Sequence, residues 1–359
     1  RLAPCLEPTL KPLRLLYLPN EVTEGDQIGP RKAFGELLRT GRLGAYEAYS
    51  FLVERQRHAT QALALQHLLE AARRFGPDLI YWQHVTTDYP VDHAFLRALK
   101  SLPTRPRLVW HDPDPYGRLI KRIDPVMKVV IAHTDLAVVK GLGTFAEDVR
   151  RAGAARVLYA VESFDDERFG RPWTPTTTRE LDAVMVANLT CLWRMPFLFM
   201  PGGRSRLRLA CRLHQALGPR FAVYGAGQGW KGRPFCRGPI AFADQERLIR
   251  SAWVSVNWSQ FDTIPMYFSD RLPISLAAGV PHVTNYQRGF EHALPGARGI
   301  YFVHSPAEAV DVVDMLLSQP RDRLLALGQE AAQYARERLN ATRVYADIVE
   351  AIQERLFGG

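Results

Sequence analysis

Short apolar runs alternate with helix-like segments along the first half of this chain, and after a Pro- and Thr-rich break the alternation starts again. Apolar runs separated by helices suit strands that pair in parallel and are covered on both faces. The pattern restricts the chain to an α/β fold. In the first half the strand segments are Leu13–Leu18, Ala45–Leu52, Leu79–Trp82, Arg107–Trp110, Val129–Ile131, Leu136–Val139 and Arg156–Tyr159. The helical segments are Pro30–Leu38, Ala59–Arg74, Asp92–Leu99 and Phe145–Ala152. Ala59–Arg74 is the clearest of these. Leu63, Leu65, Leu68 and Leu69 give it an apolar face, and Gly76-Pro77 ends it.

The break, residues 169–178, reads FGRPWTPTTT and has no periodicity, as a linker would. Beyond it come strands at Asp182–Ala187, Phe221–Tyr224, Val254–Trp258 and His282–Thr284. Helices are expected at Arg204–Leu217, Asp244–Ala252, Leu272–Ala278, Pro306–Leu317, Arg321–Leu339 and Arg343–Leu356. A chain of 359 residues is too long for one ordinary core and suits two domains of about 150–200 residues each. The expected division is 1–170, a linker at 171–181, 182–340, and a terminal helix at 341–359 that returns to the first domain. In open α/β sheets ligands bind beyond the carboxyl ends of the strands. Two Rossmann-like domains facing a central cleft would hold two substrates between those ends, which is the arrangement of a bisubstrate transferase.

Composition excludes some classes. No segment approaches the roughly 20 apolar residues of a membrane helix. The most apolar run, Val126–Val139, is interrupted by Lys128, His133 and Asp135. The N-terminus lacks the basic-then-apolar pattern of a secretory signal. The cysteines (Cys5, Cys191, Cys211, Cys236) form no CxxC and have no His at metal-ligand spacing. They read as reduced thiols of a cytoplasmic protein with no metal site. The net charge of +9 is local: residues 201–250 carry ten Lys/Arg against two Asp/Glu, whereas 1–180 carry 26 against 22. Such a patch suits a bound phosphate, a nucleic acid or a solvated face.

Three segments of the second half carry candidate chemistry. In Phe268–Thr284 (FSDRLPISLAAGVPHVT) a polar loop with Ser269, Asp270 and Arg271 leads into a small-residue helix, and Asn285–Glu291 (NYQRGFE) follows. A helix N-terminus presents free N–H groups to a diphosphate, and Arg271 adds a guanidinium. Gly279 most simply ends the helix in the left-handed conformation. In Val186–Arg208 the pair Gly202-Gly203 permits close backbone approach. Arg194, Arg204 and Arg206 are candidate phosphate ligands there, with Arg194 and Arg204 preferred. Arg208 and Arg212 fit a solvated helix face. Tyr224–Trp230 (YGAGQGW) is a glycine-rich turn that lacks the spacing of a dinucleotide fingerprint.

Residues 268–345 resemble the C-terminal part of GT-B-fold glycosyltransferases, especially the spore-maturation (CgeB-like) group. The shared features are the Arg-led loop, the AAG helix turn, the Gly-x-Glu-like element and the helix Val303–Leu317. The resemblance implies a nucleotide-sugar donor, most simply a UDP-sugar, and no cofactor. It assigns the donor phosphates to Arg194, Arg204, Arg271 and Gly203. It assigns the donor nucleotide or sugar to Gly225, Gly227, Pro239, Ile240, Ser269, Asp270, Asn285 and Glu291. The family glutamate that holds the ribose is replaced here by Ile274, so that contact is lost or comes from elsewhere, for example from Glu291 or Asp270.

In the first domain, inversion at the sugar needs a base for the acceptor proton. Asp112, in His111-Asp112-Pro113-Asp114 after a strand, is the first candidate, by a looser resemblance to phage DNA β-glucosyltransferase. Glu21, after the first strand, is the second. A turn or helix-cap role also accounts for Asp112, and His84 and His133 read as structural. The acceptor is left open among small metabolites, glycans, proteins and hydroxymethylated pyrimidines in DNA. The alternatives to a transferase are a non-catalytic nucleotide-sugar or nucleic-acid binding protein, or a phosphorylase or epimerase of the same fold.

Overall fold

The computed structural model describes residues 12–112, 114, 120–172, 174, 179–192, 195 and 198–358. The chain divides into two compact units: residues 1–139, 144–160 and 341–359 form one, and 140–143 with 161–340 form the other.

In the first unit, β1 (Leu13–Leu18), α1 (Ile28–Arg39), β2 (Leu43–Ala48), α2 (Phe51–Arg55), α3 (Gln61–Phe75) and β3 (Leu79–Gln83) come first. They are followed by α4 (His93–Lys100), β4 (Arg107–Asp112), α5 (Pro125–His133), β5 (Leu136–Val139), α6 (Thr144–Arg151) and β6 (Val157–Tyr159). The six strands are parallel in the order β2-β1-β3-β4-β5-β6. Every residue of β3 and β5 is buried. This is why these strands read as unbroken apolar runs rather than as alternating ones.

The second unit contains α7 (Asp166–Phe169), β7 (Leu181–Val186), α8 (Gly203–Leu217), β8 (Phe221–Tyr224), α9 (Gln245–Arg250) and β9 (Ala252–Asn257). After these come α10 (Arg271–Ala277), β10 (His282–Asn285), α11 (Phe290–Ala293), β11 (Ile300–Val303), α12 (Pro306–Leu317) and α13 (Arg321–Arg338). Its five parallel strands run β11-β10-β9-β7-β8. Leu209 and Leu213 of α8 and Val313 and Leu316 of α12 pack against Met185, Val254 and Val283 of the sheet. The last helix, α14 (Ala341–Phe357), belongs to the first unit. Its Tyr345 ring stands edge-on to Phe34 of α1 at 5.3 Å, and Arg42 bonds Glu350 at 2.8 Å.

Four expectations from the sequence need correction. Val129–Ile131 is not a strand but the end of α5. Asp124 caps that helix, its side chain accepting the Val126 N–H at 2.8 Å, and Pro125 opens it. Met127, Val130 and Ile131 then fall on one buried face, so a β-branched run is helical because of its cap and its packing. Ala45–Leu52 splits into the end of β2 and the start of α2. Asp244–Ala252 shortens to α9, and Ala252 already belongs to β9. Edge strand β11, four residues that pair only with β10, had no expected counterpart. No helix among the described residues is long and apolar enough to cross a membrane.

Candidate active site

Both sheets have a reversal of strand order, between β1 and β3 in the first unit and between β7 and β9 in the second. Ligands bind beyond the carboxyl ends of strands at such switch points. The loops after these strands and after their neighbours β4, β8 and β10 hold the polar groups described below.

In the first unit β3 ends at Gln83, and His84 follows with φ +45. A non-glycine residue in the left-handed region is held there by its surroundings. The His84 N–H donates to the His111 carbonyl at 2.7 Å, and its Nδ1 meets Asp112 Oδ1 at 3.0 Å. Asp112 is fully buried and also accepts the Asp114 N–H at 2.9 Å. The His84 side chain keeps 21% of its exposure. Burial pulls the His84 pKa down, but the hydrogen bond and charge of Asp112, with Asp114 beyond it, prevail and hold it above 6.5. With Nδ1 committed to Asp112, the ring presents Nε2 as its free basic atom. The buried Asp112 orients, and the half-buried His84 is the group able to take a proton. Nothing in the sequence marks this beyond the position of His84 one residue after a strand.

Glu21 has a different part. Its carboxylate is buried and accepts from Arg31, from Ser50 Oγ at 2.5 Å, and from the Gly25 and Gln27 N–H groups at 3.2 and 3.1 Å. Burial alone would raise its pKa, but these bonds hold it below 4.5. A carboxylate so fully engaged anchors the 19–27 loop and has little basicity left for an acceptor.

In the second unit the glycines serve the protein's own backbone. A Cβ on Gly202 would lie 1.9 Å from the Ser259 carbonyl oxygen, and one on Gly225 would lie 1.9 Å from that of Ala187. Gly227, at φ +114, approaches Leu189 in the same way. A Cβ on Gly203 would meet the Phe199 side chain at 2.5 Å. These residues lock the loops after β7, β8 and β9 together. Gly225→Ala should therefore destabilise the protein by about 1–3 kcal/mol, since backbone must move to admit the methyl; a urea titration reads this directly.

Arg206 is buried beneath these loops, and its Nε donates to the Trp258 carbonyl at 2.7 Å. Its guanidinium also reaches the Asn188 carbonyl. Burial, with Arg271 nearby, lowers its pKa to about 10. It is a strut between two loops rather than a phosphate ligand. Arg204 is exposed in the first turn of α8, whose N-cap Gly202 has no side-chain bond. Arg271 opens α10, is half-buried, and bonds Asp270 at 2.6 Å. Arg194 lies outside the described residues.

Ser269 and Asp270 sit on the loop before α10, and Ser269 Oγ is 3.5 Å from Asn257 Nδ2. Asn285 is buried and accepts the Ser259 N–H at 2.6 Å, so it too shapes a loop. Glu291 is exposed and takes the Tyr286 hydroxyl at 3.0 Å. Pro239 is exposed and Ile240 half-buried on the loop after β8. Ile274, in the position of the family glutamate, is fully buried. Gly279 has φ +72 just past α10, the left-handed helix end expected of it. Among the described residues no group of three or more His, Cys, Asp or Glu is placed to hold a metal ion.

Comparison with known proteins now bears on this geometry. Residues 204–354 match the family described as glycosyl transferase-like. No curated protein matches the chain in sequence. Among solved structures the chain is similar to Anabaena HepE in complex with UDP and glucose, with TM-score 0.58 and 14% identity over 95% of this chain and 100% of that one. It is similar to a glycosyltransferase from Rickettsia africae, with TM-score 0.56 and 10% identity over 96% and 98% of the two chains. The sucrose-phosphate synthase of Thermosynechococcus elongatus gives TM-score 0.51 and 11% identity over 83% and 79%. Two wholly parallel sheets and the fold shared with these neighbours give the chain a GT-B-type α/β fold, with a glycosyl transferase-like domain at residues 204–354.

Proposed function

We propose that the chain transfers a hexose from a UDP-hexose to an acceptor hydroxyl with inversion at the anomeric carbon, and that His84 is the base. The observation that carries this reading is the His84–Asp112 pair, a half-buried imidazole held by a buried carboxylate at the carboxyl end of a parallel sheet. His84 Nε2 takes the acceptor proton as the oxygen attacks the anomeric carbon. The bond from that carbon to the diphosphate oxygen breaks, and UDP leaves. Asp112 stabilises the imidazolium that forms. Within the second unit, Arg271 and the N-terminus of α8, with Arg204 in its first turn, suit a diphosphate. The choice of nucleotide is supported by HepE, whose structures hold UDP and UDP-glucose.

DNA is not favoured among the acceptors. The basic segment 201–250 loses Arg206 to burial, and Arg220, Arg247 and Arg250 pair with Asp182, Asp244 and Glu246. The test is a panel of UDP-, GDP- and dTDP-hexoses, read by thermal shift and nucleotide release, with the product anomer assigned by NMR. A UDP-hexose should bind and its product should be inverted; a retained anomer would remove His84 from the role of base. Arg271→Ala should weaken UDP binding about 10- to 100-fold, the effect of removing a charged hydrogen bond worth roughly 1.5–3 kcal/mol.

A further inference from the structure

Three buried polar atoms near the switch point of the second unit have no hydrogen-bond partner among the described residues: Asn257 Oδ1, Gln287 Oε1 and Arg271 Nε. Asn257 is the last residue of β9, one of the two strands that flank the reversal, and is 5% exposed. Gln287 stands just beyond the neighbouring strand β10 and is 3% exposed. All three are tied to one short stretch. The Gln287 amide donates to the Tyr267 carbonyl at 2.5 Å, the other end of the Asn257 amide faces Ser269 Oγ at 3.5 Å, and Arg271 lies two residues after Ser269. Whichever way the Asn257 amide is turned, one of its ends stays unpaired. Buried polar groups are almost always satisfied, so three orphans on adjacent loops at a ligand-binding edge call for an explanation.

We infer that Asn257 and Gln287, with Arg271, bind a vicinal diol of the donor next to its diphosphate; this rests on the reading of the chain as a UDP-hexose transferase. Gln287 Oε1 accepts, and Asn257 Oδ1 accepts in the orientation that sets its NH2 toward Ser269, so the ligand donates O–H groups. The guanidinium N–H beside them wants an oxygen, preferably an anionic one. A nucleoside diphosphate hexose offers this combination twice, in its ribose and in its hexose. Ile274, fully buried and apolar, offers no acceptor. The orphan atoms are buried, and the chain next to Tyr267 is not relaxed. Met266, in the segment that leads to Ser269, has φ +61, and its N–H is held by the Arg288 carbonyl at 2.9 Å. Buried polar atoms left unpaired favour a ligand that pairs them.

The experiment measures binding of UDP, 2′-deoxy-UDP and UDP-glucose to the full chain by calorimetry, with Tm recorded for each ligand-free variant. Asn257→Ala should leave Tm unchanged or raise it, because an unpaired buried group is removed. It should raise Kd about tenfold, and Asn257→Asp, which keeps the acceptor, should restore binding. Gln287→Leu should also weaken binding. If the ribose is the diol, Asn257→Ala weakens UDP and UDP-glucose alike and abolishes the preference for UDP over 2′-deoxy-UDP. If the hexose is the diol, only UDP-glucose weakens. Either pattern supports the assignment. Wild-type affinity for all three ligands in both Asn257→Ala and Gln287→Leu overturns it while leaving the transferase reading intact. A wild-type chain that binds none of the three overturns both.

Discussion

His84→Ala is expected to lower kcat by about 10²- to 10⁴-fold, the usual range for loss of a general base. Donor binding should change little, so the loss appears in kcat rather than in the Kd for UDP. The pH profile distinguishes a base from a merely structural residue. A base acts deprotonated, so kcat/KM should fall as pH drops through the His84 pKa, which lies above 6.5 because Asp112 favours the charged ring. Asp112→Asn removes that charge. The acid limb should then move to lower pH while the plateau rate also falls, because the ring loses its orienting partner. Stability runs the other way. A raised pKa means that the pairing stabilises the fold fully below about 6.5, the unfolded value, and that this contribution is lost as pH rises through the folded value. A pH profile of His84→Ala with the wild-type acid limb would end the base assignment.

Arg31→Met should produce the largest loss of stability, about 3–5 kcal/mol, because it leaves the buried Glu21 carboxylate without its cation. The Glu21 side chain is fully buried and that of Arg31 is 23% exposed, so water offers little compensation. The double variant Glu21→Gln/Arg31→Met should recover part of the loss, since no charge is then stranded. The pH dependence follows from the lowered Glu21 pKa. The contribution of the pair is present above 4.5 and is lost as pH falls through the folded value. The gap between wild type and Arg31→Met should therefore narrow in acid. Urea titrations at pH 7 and at pH 4 check both points. A gap that stays constant with pH would mean that Arg31 contributes packing rather than charge.

The α/β class, the restart after residue 178 and most helices could be read from the sequence, because periodicity, helix breakers and turn residues are local properties. Gly279 as a left-handed helix end was legible for the same reason. Where local signals conflict, tertiary context decides. Val129–Ile131 has strand-like residues, but a capping Asp124 and a buried face make it helical. Gly202 was legible as a site of close approach, but only the packed loops show that the approaching group is the chain's own backbone. The site was less legible than the fold. His84 and Asp112 are 28 residues apart and meet only because β3 pairs with β4 in a register that sets Gln83 against His111. Glu21 stood as the second candidate base, and only its bonds to Arg31, Ser50, Gly25 and Gln27 show how fully its carboxylate is engaged. The sequence by itself determined the order of strands and helices, the breaks between them and the stock of polar side chains near strand ends. Only the tertiary structure decided which of those side chains are buried, which are paired and which keep an atom free, because burial and pairing depend on neighbours distant along the chain.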